Sequence, residues 1–304
     1  MAMRIEELVE RVDRLPVTPS VHARVQRMVR DADASVRELS EAILGDPSLT
    51  AQVLRLANSA AYGRSRTVGT VSQAVVLLGF ETIGRQVLAP AQDNPTERGA
   101  GDGAFDFGAF REHSVGVAAG ARLLARRAGH ADEEAVYVAG LLHDIGRVAM
   151  AEQMPVELEE AVDRAWRLRT SLVEAERRTI GFTHCRVGAC LAARWDLPEL
   201  VEDAVAFHHG PDLTERHNLE TRMVEAADVL AKAMSLGYSG DDRVGSISKR
   251  TRELLQLETD ELEGLLEAIR AESGQLTAPE ADGADQGENP VKGAAKSADA
   301  IHDR

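Results

Sequence analysis

The chain has 304 residues, of which 44% are hydrophobic and only 4% aromatic, and its formal net charge is -15. A chain of this length buries a sizeable core, which leucine, valine, alanine and isoleucine must fill, and a composition rich also in glutamate and arginine favours helices over strands. Because an acidic chain repels phosphates, the charge disfavours sequence-independent binding of nucleic acid.

The sequence also indicates a cellular compartment. No signal peptide is recognisable at the N-terminus, and no run approaches the 18 apolar residues of a membrane-spanning helix, so we expect a cytoplasmic protein without a membrane anchor. Cys185 and Cys190 are five residues apart and form no C-x-x-C pair, so they are interpreted as small buried hydrophobic residues in a reducing compartment rather than a zinc site.

Helix starts in the first ninety residues are marked by capping residues that precede apolar residues at helical spacing. The predicted N-caps are Thr18 (with Pro19 at the first helical position), Ser35 (in a capping box with Glu38), Asp46 and Thr70. Gly79 is predicted to end the helix that Thr70 begins, and Asn58 to bond local backbone after the helix that Asp46 begins. Residues 10–90 are therefore predicted to form an N-terminal helical sub-domain.

A break rich in Pro, Gly, Asp and Asn covers residues 90–104, and helical periodicity then resumes. The predicted helices are roughly 108–129, 132–142, 144–151, 155–166, 171–180, 184–195, 198–207, 218–236 and 258–271, with a capping box at Ser171 and Pro198 at a first helical position. We expect a second sub-domain at 105–236 and a helical extension at 237–273. Residues 274–304 lack large apolar side chains and are predicted to be a disordered tail.

The main chemical signal is the adjacent pair His143-Asp144, within Leu141-Leu142-His143-Asp144-Ile145-Gly146-Arg147. An imidazole and a carboxylate side by side can ligate one divalent metal ion, and the carboxylate can bridge to a second. One such pair is weak evidence for a metal site on its own, since a histidine more often packs in a core and an aspartate more often caps a helix.

Further candidate ligands strengthen this interpretation: they are His113, His184, the tandem pair His208-His209, and Asp228. Asp228 interrupts the apolar run Val224–Ala231, where aspartate is disfavoured in a helix interior, and if buried it needs a cation or hydrogen-bond donors. The alternative is an aspartate at the solvent edge of an amphipathic helix.

The order of these residues resembles the HD superfamily of metal-dependent phosphohydrolases in its longer, HD-GYP-like form. More specifically, the chain resembles the HDOD family over about residues 12–235. The motifs that carry this resemblance are Leu15-Pro16-x-x-Pro19, Gly45-Asp46-Pro47-Ser48-Leu49, Leu56-Ala57-Asn58-Ser59-Ala60-Ala61-Tyr62-Gly63, Leu77-Leu78-Gly79, Gly140-Leu141-Leu142-His143-Asp144-Ile145-Gly146 and Trp195-Asp196-Leu197-Pro198.

The resemblance implies an all-α fold in which an N-terminal helical bundle packs on an HD-like helical bundle. It also implies one or two bound divalent ions (Fe, Mn, Zn or Ni) and no organic cofactor. The implied metal ligands are His113, His143, Asp144, His184, His208, His209 and Asp228. Arg147 stands where the superfamily has lysine, and it is interpreted as a phosphate contact or as a surface residue. No Gly-Tyr-Pro follows the paired histidines, a departure from HD-GYP enzymes.

HDOD domains are output modules of bacterial signalling proteins, and they generally lack a demonstrated hydrolase activity. The first hypothesis is therefore a regulatory module that binds a signalling protein partner or a nucleotide second messenger, with any metal in a structural role. The alternative is an active phosphohydrolase or phosphodiesterase on a nucleotide or cyclic dinucleotide. DNA binding through Arg24, Arg27, Arg30 and Arg37 ranks third, because a solvated basic face is the ordinary interpretation.

Overall fold

The computed structural model describes residues 3–62, 67–88, 105–241, 243–258 and 260–277. Within these ranges the protein is all-α, as predicted: helices are joined by turns and short loops, and no strand occurs. No helix in the described ranges is long and apolar enough to cross a membrane.

The N-terminal part consists of short helices, in the order α1 (Ile5–Arg11), α2 (Pro19–Arg30), α3 (Val36–Leu44), α4 (Pro47–Asn58), a 3-10 turn (Ala60–Tyr62), α5 (Val71–Thr82) and a π turn (Ile83–Val87). The caps predicted at Ser35, Asp46 and Thr70 are confirmed, because each side chain accepts a hydrogen bond from a backbone N–H in the first turn of its helix. Thr18 lies at the N-cap of α2, but its side chain makes no capping bond.

Two further predictions concern the ends of α4 and α5. Asn58 brackets Val68, donating to the Val68 carbonyl at 3.1 Å and accepting from the Val68 N–H at 2.7 Å, so the predicted backbone bonding of Asn58 is confirmed. Gly79 does not end α5: it has a φ of 73° and kinks the helix, which resumes and runs to Thr82.

The later helices are α6 (Phe107–Arg127), α7 (Glu133–Leu142), α8 (Ile145–Gln153), α9 (Pro155–Leu168), α10 (Leu172–Thr179), α11 (His184–Arg194), α12 (Glu199–Phe207), α13 (Asn218–Ala233), α14 (Lys249–Leu254) and α15 (Leu262–Thr277). Most lie within a few residues of the predicted ranges. The prediction for Pro198 is off by one position, since it is the N-cap of α12 rather than its first residue. Helix α14 was not predicted.

The predicted tail and break fall largely outside the described residues. Helix α15 continues to Thr277, so residues 274–277 are helical rather than part of a tail. The rest of the predicted tail, 278–304, and the predicted break at 90–104 lie outside the described residues. The division into sub-domains at 10–90, 105–236 and 237–273 stays a prediction.

A continuous cluster of buried apolar side chains, from Leu8 to Val205, joins helices on both sides of the predicted break. Helix α1 packs on α8 and α11, where the Arg194 side chain donates to the carbonyls of Val9 and Val12. The long helix α6 packs against α7, α13 and α15. These helices surround the predicted metal ligands, so the core that stabilises the fold also positions the site.

Candidate metal centre

The His143-Asp144 pair lies between two helices. Helix α7 ends at Leu142 and α8 begins at Ile145, so His143 is the C-cap of one helix and Asp144 the N-cap of the next, and both are buried. His143 Nδ1 lies 2.7 Å from the Gly140 carbonyl oxygen, which fixes Nδ1 as the protonated nitrogen. The other ring nitrogen, Nε2, faces Asp144 Oδ2 at 3.3 Å.

Two glycines bring the start of α8 against the start of α11. A Cβ atom on Gly146 would lie 2.0 Å from the His184 carbonyl oxygen and 2.7 Å from the Gly188 nitrogen. Only glycine allows backbones to approach so closely. This contact places Asp144 beside His184, with Asp144 Oδ1 at 3.1 Å from His184 Nε2.

Helices α6 and α13 supply His113 and Asp228 on the other side of His143. His113 Nε2 lies 3.1 Å from Asp228 Oδ1, and His143 Nε2 lies 3.8 Å from the same oxygen. Asp228 is only 5% exposed, so the interpretation as a solvent-edge aspartate is wrong. A buried carboxylate among imidazoles needs a cation or donors, as the sequence indicated.

The paired histidines close the cluster at the end of α12. His208 Nδ1 lies 3.0 Å from the Ala204 carbonyl, and its Nε2 lies 3.5 Å from Asp144 Oδ1. The His209 ring centroid is 5.3 Å from that of His184, but His209 is exposed whereas the other predicted ligands are buried. All seven residues therefore converge on one region of the fold.

The atoms that face one another in this cluster make ion-pair contacts at 3.1–3.8 Å but no hydrogen bond of regular geometry. They are the Nε2 atoms of His113, His143 and His208, both carboxylate oxygens of Asp144, and Oδ1 of Asp228. Each such buried group costs roughly 1–3 kcal/mol when it is left unsatisfied. One or two bound cations would give these atoms partners, so the residues fit the predicted metal.

The donors form overlapping groups whose ligand atoms lie within 4.8 Å of one another: His113, His143 and Asp228; His143, Asp144 and His208; and His184, Cys185, His208 and His209. Because His143 and His208 are each shared by two groups, the cluster has donors for one or two ions. Imidazole and carboxylate donors together fit iron, manganese, zinc and nickel, as expected.

The protonation states of Asp144, Asp228 and His208 suit metal binding. Burial acts to raise the pKa of Asp144, but Arg147 and His143 outweigh it and hold the pKa well below the usual aspartate value. Burial likewise opposes the ionisation of Asp228, yet the neighbouring Lys232 keeps the pKa of Asp228 well below normal. Burial lowers the pKa of His208 to about 4. Burial also acts to lower the pKa of His184, but Cys185, Glu176 and Asp144 outweigh it and raise that pKa well above the usual histidine value. The carboxylates are therefore ionised and the imidazole of His208 is neutral at pH 7.

Three residues that contact the cluster were not identified from the sequence. Buried Glu176 accepts from His184 Nδ1 at 2.7 Å, Lys232 Nζ lies 2.9 Å from Asp228 Oδ2, and Cys185 Sγ lies 3.3 Å from His184 Nε2. Such outer partners orient ligands and fix tautomers. Cys185 is buried as predicted, but it also belongs to a donor group. Lys232 could have been found from its spacing of four residues after Asp228, which places both on one helix face.

Comparison with known proteins decides the family. The model of the HDOD domain matches residues 15–211, well over half of the chain. The chain belongs to the HDOD domain family. An HDOD domain protein with unknown function from Geobacter sulfurreducens is 30% identical, with a TM-score of 0.54 over 90% of this chain and 96% of that one. Membership of this family indicates that the chain is an HD-related module associated with signalling.

Two further relatives have a lower sequence identity to this HDOD protein. An uncharacterized protein of Treponema pallidum (strain Nichols) is 26% identical over 212 residues, which are 66% of this chain but only 39% of that protein. The chain thus spans well under half of that curated relative. The MmoQ response regulator from Methylococcus capsulatus str. Bath is 24% identical, with a TM-score of 0.64 over 84% of this chain and 99% of that one, and it shows the same fold.

Arg147 of this HDOD protein is fully buried, so its interpretation as a surface residue is wrong. Its Nη1 lies 3.3 Å from Asp144 Oδ2 and donates to the Ser239 carbonyl, and Nη2 lies 3.5 Å from His184 Nε2. In this position the guanidinium neutralises and orients Asp144. The predicted phosphate contact of Arg147 stays a prediction.

A cleft of about 580 Å³ opens onto the cluster, and we call it the metal cleft. Its walls include three predicted ligands, two basic side chains and three further acidic side chains: His208, His209, Asp228, Lys232, Arg243, Glu174, Glu225 and Asp241. The cluster is therefore reached through a cavity large enough for a small ligand.

Proposed function

We propose that this HDOD protein is a signalling module that holds a divalent metal ion in its histidine–aspartate cluster and binds a nucleotide second messenger in the metal cleft. The observation that carries this proposal is the set of buried donor atoms without hydrogen bonds, two of which belong to His208 and Asp228 in the wall of an open cleft. Natural cores rarely retain several such atoms together unless a ligand or ion satisfies them.

The cleft favours a small ligand over a protein as the signal. His208, His209 and Asp228 line a cavity of about 580 Å³, a size that suits a small ligand. Lys232 and Arg243 supply positive charge to a wall that also carries Glu174, Glu225, Asp228 and Asp241, so the attraction of an anionic ligand such as a phosphate would depend on the bound ion.

One ion would be held by residues among His113, His143, Asp144 and Asp228, and a second by residues among His184, His208 and His209. A bound divalent ion supplies concentrated positive charge for phosphate oxygens. The chain itself orients these ligands: Glu176 holds the His184 ring, Lys232 holds one oxygen of Asp228, and Arg147 holds one oxygen of Asp144.

A metal-dependent phosphohydrolase or phosphodiesterase is the second candidate. The observation that favours it is the complete donor set, including exposed His209 at the wall of the cleft, where a ligand would meet it. Hydrolysis of cyclic di-GMP and of bis-p-nitrophenyl phosphate by the Mn-loaded protein tests this candidate directly. Turnover above that of an Asp144→Asn variant would establish it.

Thermal unfolding tests the binding proposal. We expect Mn²⁺ to raise the melting temperature of the wild type, and pyrophosphate to raise it further only when Mn²⁺ is present. Asp228→Asn, which keeps the shape but removes the charge, should lose both effects. His130→Gln is the matched control, because His130 pairs with Glu220 away from the cluster. A wild type that responds to neither Mn²⁺ nor pyrophosphate would contradict the proposal.

A further inference from the structure

A second cavity of about 670 Å³ lies beside the metal cleft. The two cavities share Thr170, Asp241 and Arg243 in their walls, so they are direct neighbours. The other walls of the second cavity include Trp166, Arg167, Arg169 and Tyr238, and we call it the tryptophan groove. None of these four residues belongs to the metal cluster.

Trp166 is the unusual feature of this groove. It lies in the last turn of α9 and is 75% exposed, although a tryptophan gains more than any other side chain from burial of its large ring. A single exposed apolar residue needs no explanation, but this ring lines a cavity together with a second aromatic residue, Tyr238. The groove therefore has two aromatic side chains in its walls.

The backbone at both sides of the groove is held in place. Gly237, with a φ of 61°, packs so closely on α6 that a Cβ atom would lie 2.1 Å from the Ala109 carbonyl, and the Tyr238 N–H donates to the same carbonyl at 2.9 Å. Across the groove, Arg169 ends α9 in the left-handed conformation, and Arg243 donates to its carbonyl. The groove is thus formed by fixed segments of the chain.

The charge of the groove is opposite to that of the whole chain. Arg167, Arg169 and Arg243 line it, and all three are exposed, whereas the chain carries a net charge of -15. A local basic patch on an acidic protein attracts anions, and arginine planes also stack on aromatic bases. Asp241 is the acidic residue shared by both cavities, and it is tied to the backbone N–H groups of Leu172 and Arg243.

We propose that the tryptophan groove binds the base of a nucleotide whose phosphate lies in the metal cleft. This inference rests on the proposed function and names the part of the ligand that gives specificity. Trp166 and Tyr238 would stack on the base, and Arg243, at the junction of the two cavities, would contact the phosphate. Exposed Val156 and Leu168 also lie on α9, but three arginines and the walls shared with the metal cleft favour an anionic small molecule over an apolar peptide.

Fluorescence provides a direct test because the chain has two tryptophans. Trp195 is 2% exposed and Trp166 is 75% exposed, so a base that stacks in the groove should quench Trp166 selectively. The Mn-loaded protein is titrated with GMP, with ribose 5-phosphate and with pyrophosphate, and binding is measured in parallel by calorimetry. We expect GMP to quench the emission and to bind about 5- to 100-fold more tightly than ribose 5-phosphate.

Trp166→Ala should remove this advantage of GMP while leaving pyrophosphate affinity unchanged. Leu168→Ala is the matched control, since Leu168 is 58% exposed on the same helix but does not line the groove. Pyrophosphate binding without any advantage for GMP, or an advantage that survives Trp166→Ala, would overturn the inference alone. Absence of binding by all three ligands would overturn the proposed function and this inference with it. Self-association that Trp166→Ala abolishes, without an effect on GMP, would make the groove a protein contact and also overturn the inference.

Discussion

Gly146→Ala tests whether the close contact of α8 and α11 assembles the metal centre. The new Cβ atom would lie 2.0 Å from the His184 carbonyl oxygen and 2.7 Å from the Gly188 nitrogen, both of which are backbone atoms that cannot rotate away. Overpacking of a core costs typically about 1–3 kcal/mol, and a clash with backbone should lie near the upper end. For a chain of this size about 3 kcal/mol corresponds to a fall of roughly 6–12 °C in melting temperature.

The assay is thermal unfolding followed by circular dichroism, with and without Mn²⁺. Because the clash separates Asp144 from His184, we expect the Gly146→Ala variant to lose most of the stabilisation by metal as well as basal stability. Gly264→Ala is the control: Gly264 lies exposed in α15 with no atom within 4 Å of the added Cβ, so alanine should leave stability unchanged or raise it by up to about 1 kcal/mol. Equal melting temperatures for Gly146→Ala and the wild type would refute the reasoning.

Three other predictions each concern a single side chain. Burial raises the pKa of Glu152 from 4.5 to about 7, so the folded state resists ionisation of this carboxyl and stability is lost as pH rises between these values. After allowance for partial solvent screening, we expect Glu152→Gln to be about 1–2 kcal/mol more stable than the wild type at pH 8 and equally stable at pH 4. Urea unfolding at the two pH values measures this difference. Glu176→Ala should weaken metal binding about 10- to 100-fold in competition titrations, since His184 loses its orienting carboxylate. Asn58→Ala should destabilise the fold by about 1–2 kcal/mol, because two backbone groups of Val68 lose their partner.

Much of the fold could be predicted because its determinants are local. Ser35, Asp46 and Thr70 cap helices through bonds that span three residues, and such signals are visible in the sequence. The short α14 was missed because a helix of six residues carries little periodicity. The kink at Gly79 shows the limit of a local signal: glycine marked the irregular position, but the following residues continued the helix.

The candidate site could be predicted in its ligands but not in its surroundings. Asp228 stood out because a charged residue in an apolar run requires a reason, and the structure places it against His113. Glu176 gave no comparable signal, since its partner His184 lies in another helix and charged residues are ordinary in α10. The burial of Arg147 likewise depends on Ser239, 92 residues away, and long-range contacts of this kind are not encoded in local spacing.

The central claim is that the histidine–aspartate cluster binds metal. It is tested most directly by elemental analysis of the protein after purification without chelator, beside an Asp144→Asn variant of equal helicity. We expect between about one and two divalent ions per wild-type chain and a large loss in the variant, because Asp144 faces His143, His184 and His208 together. A folded wild-type protein that carries no metal, and takes up none from Fe, Mn, Zn or Ni solutions, would contradict the claim.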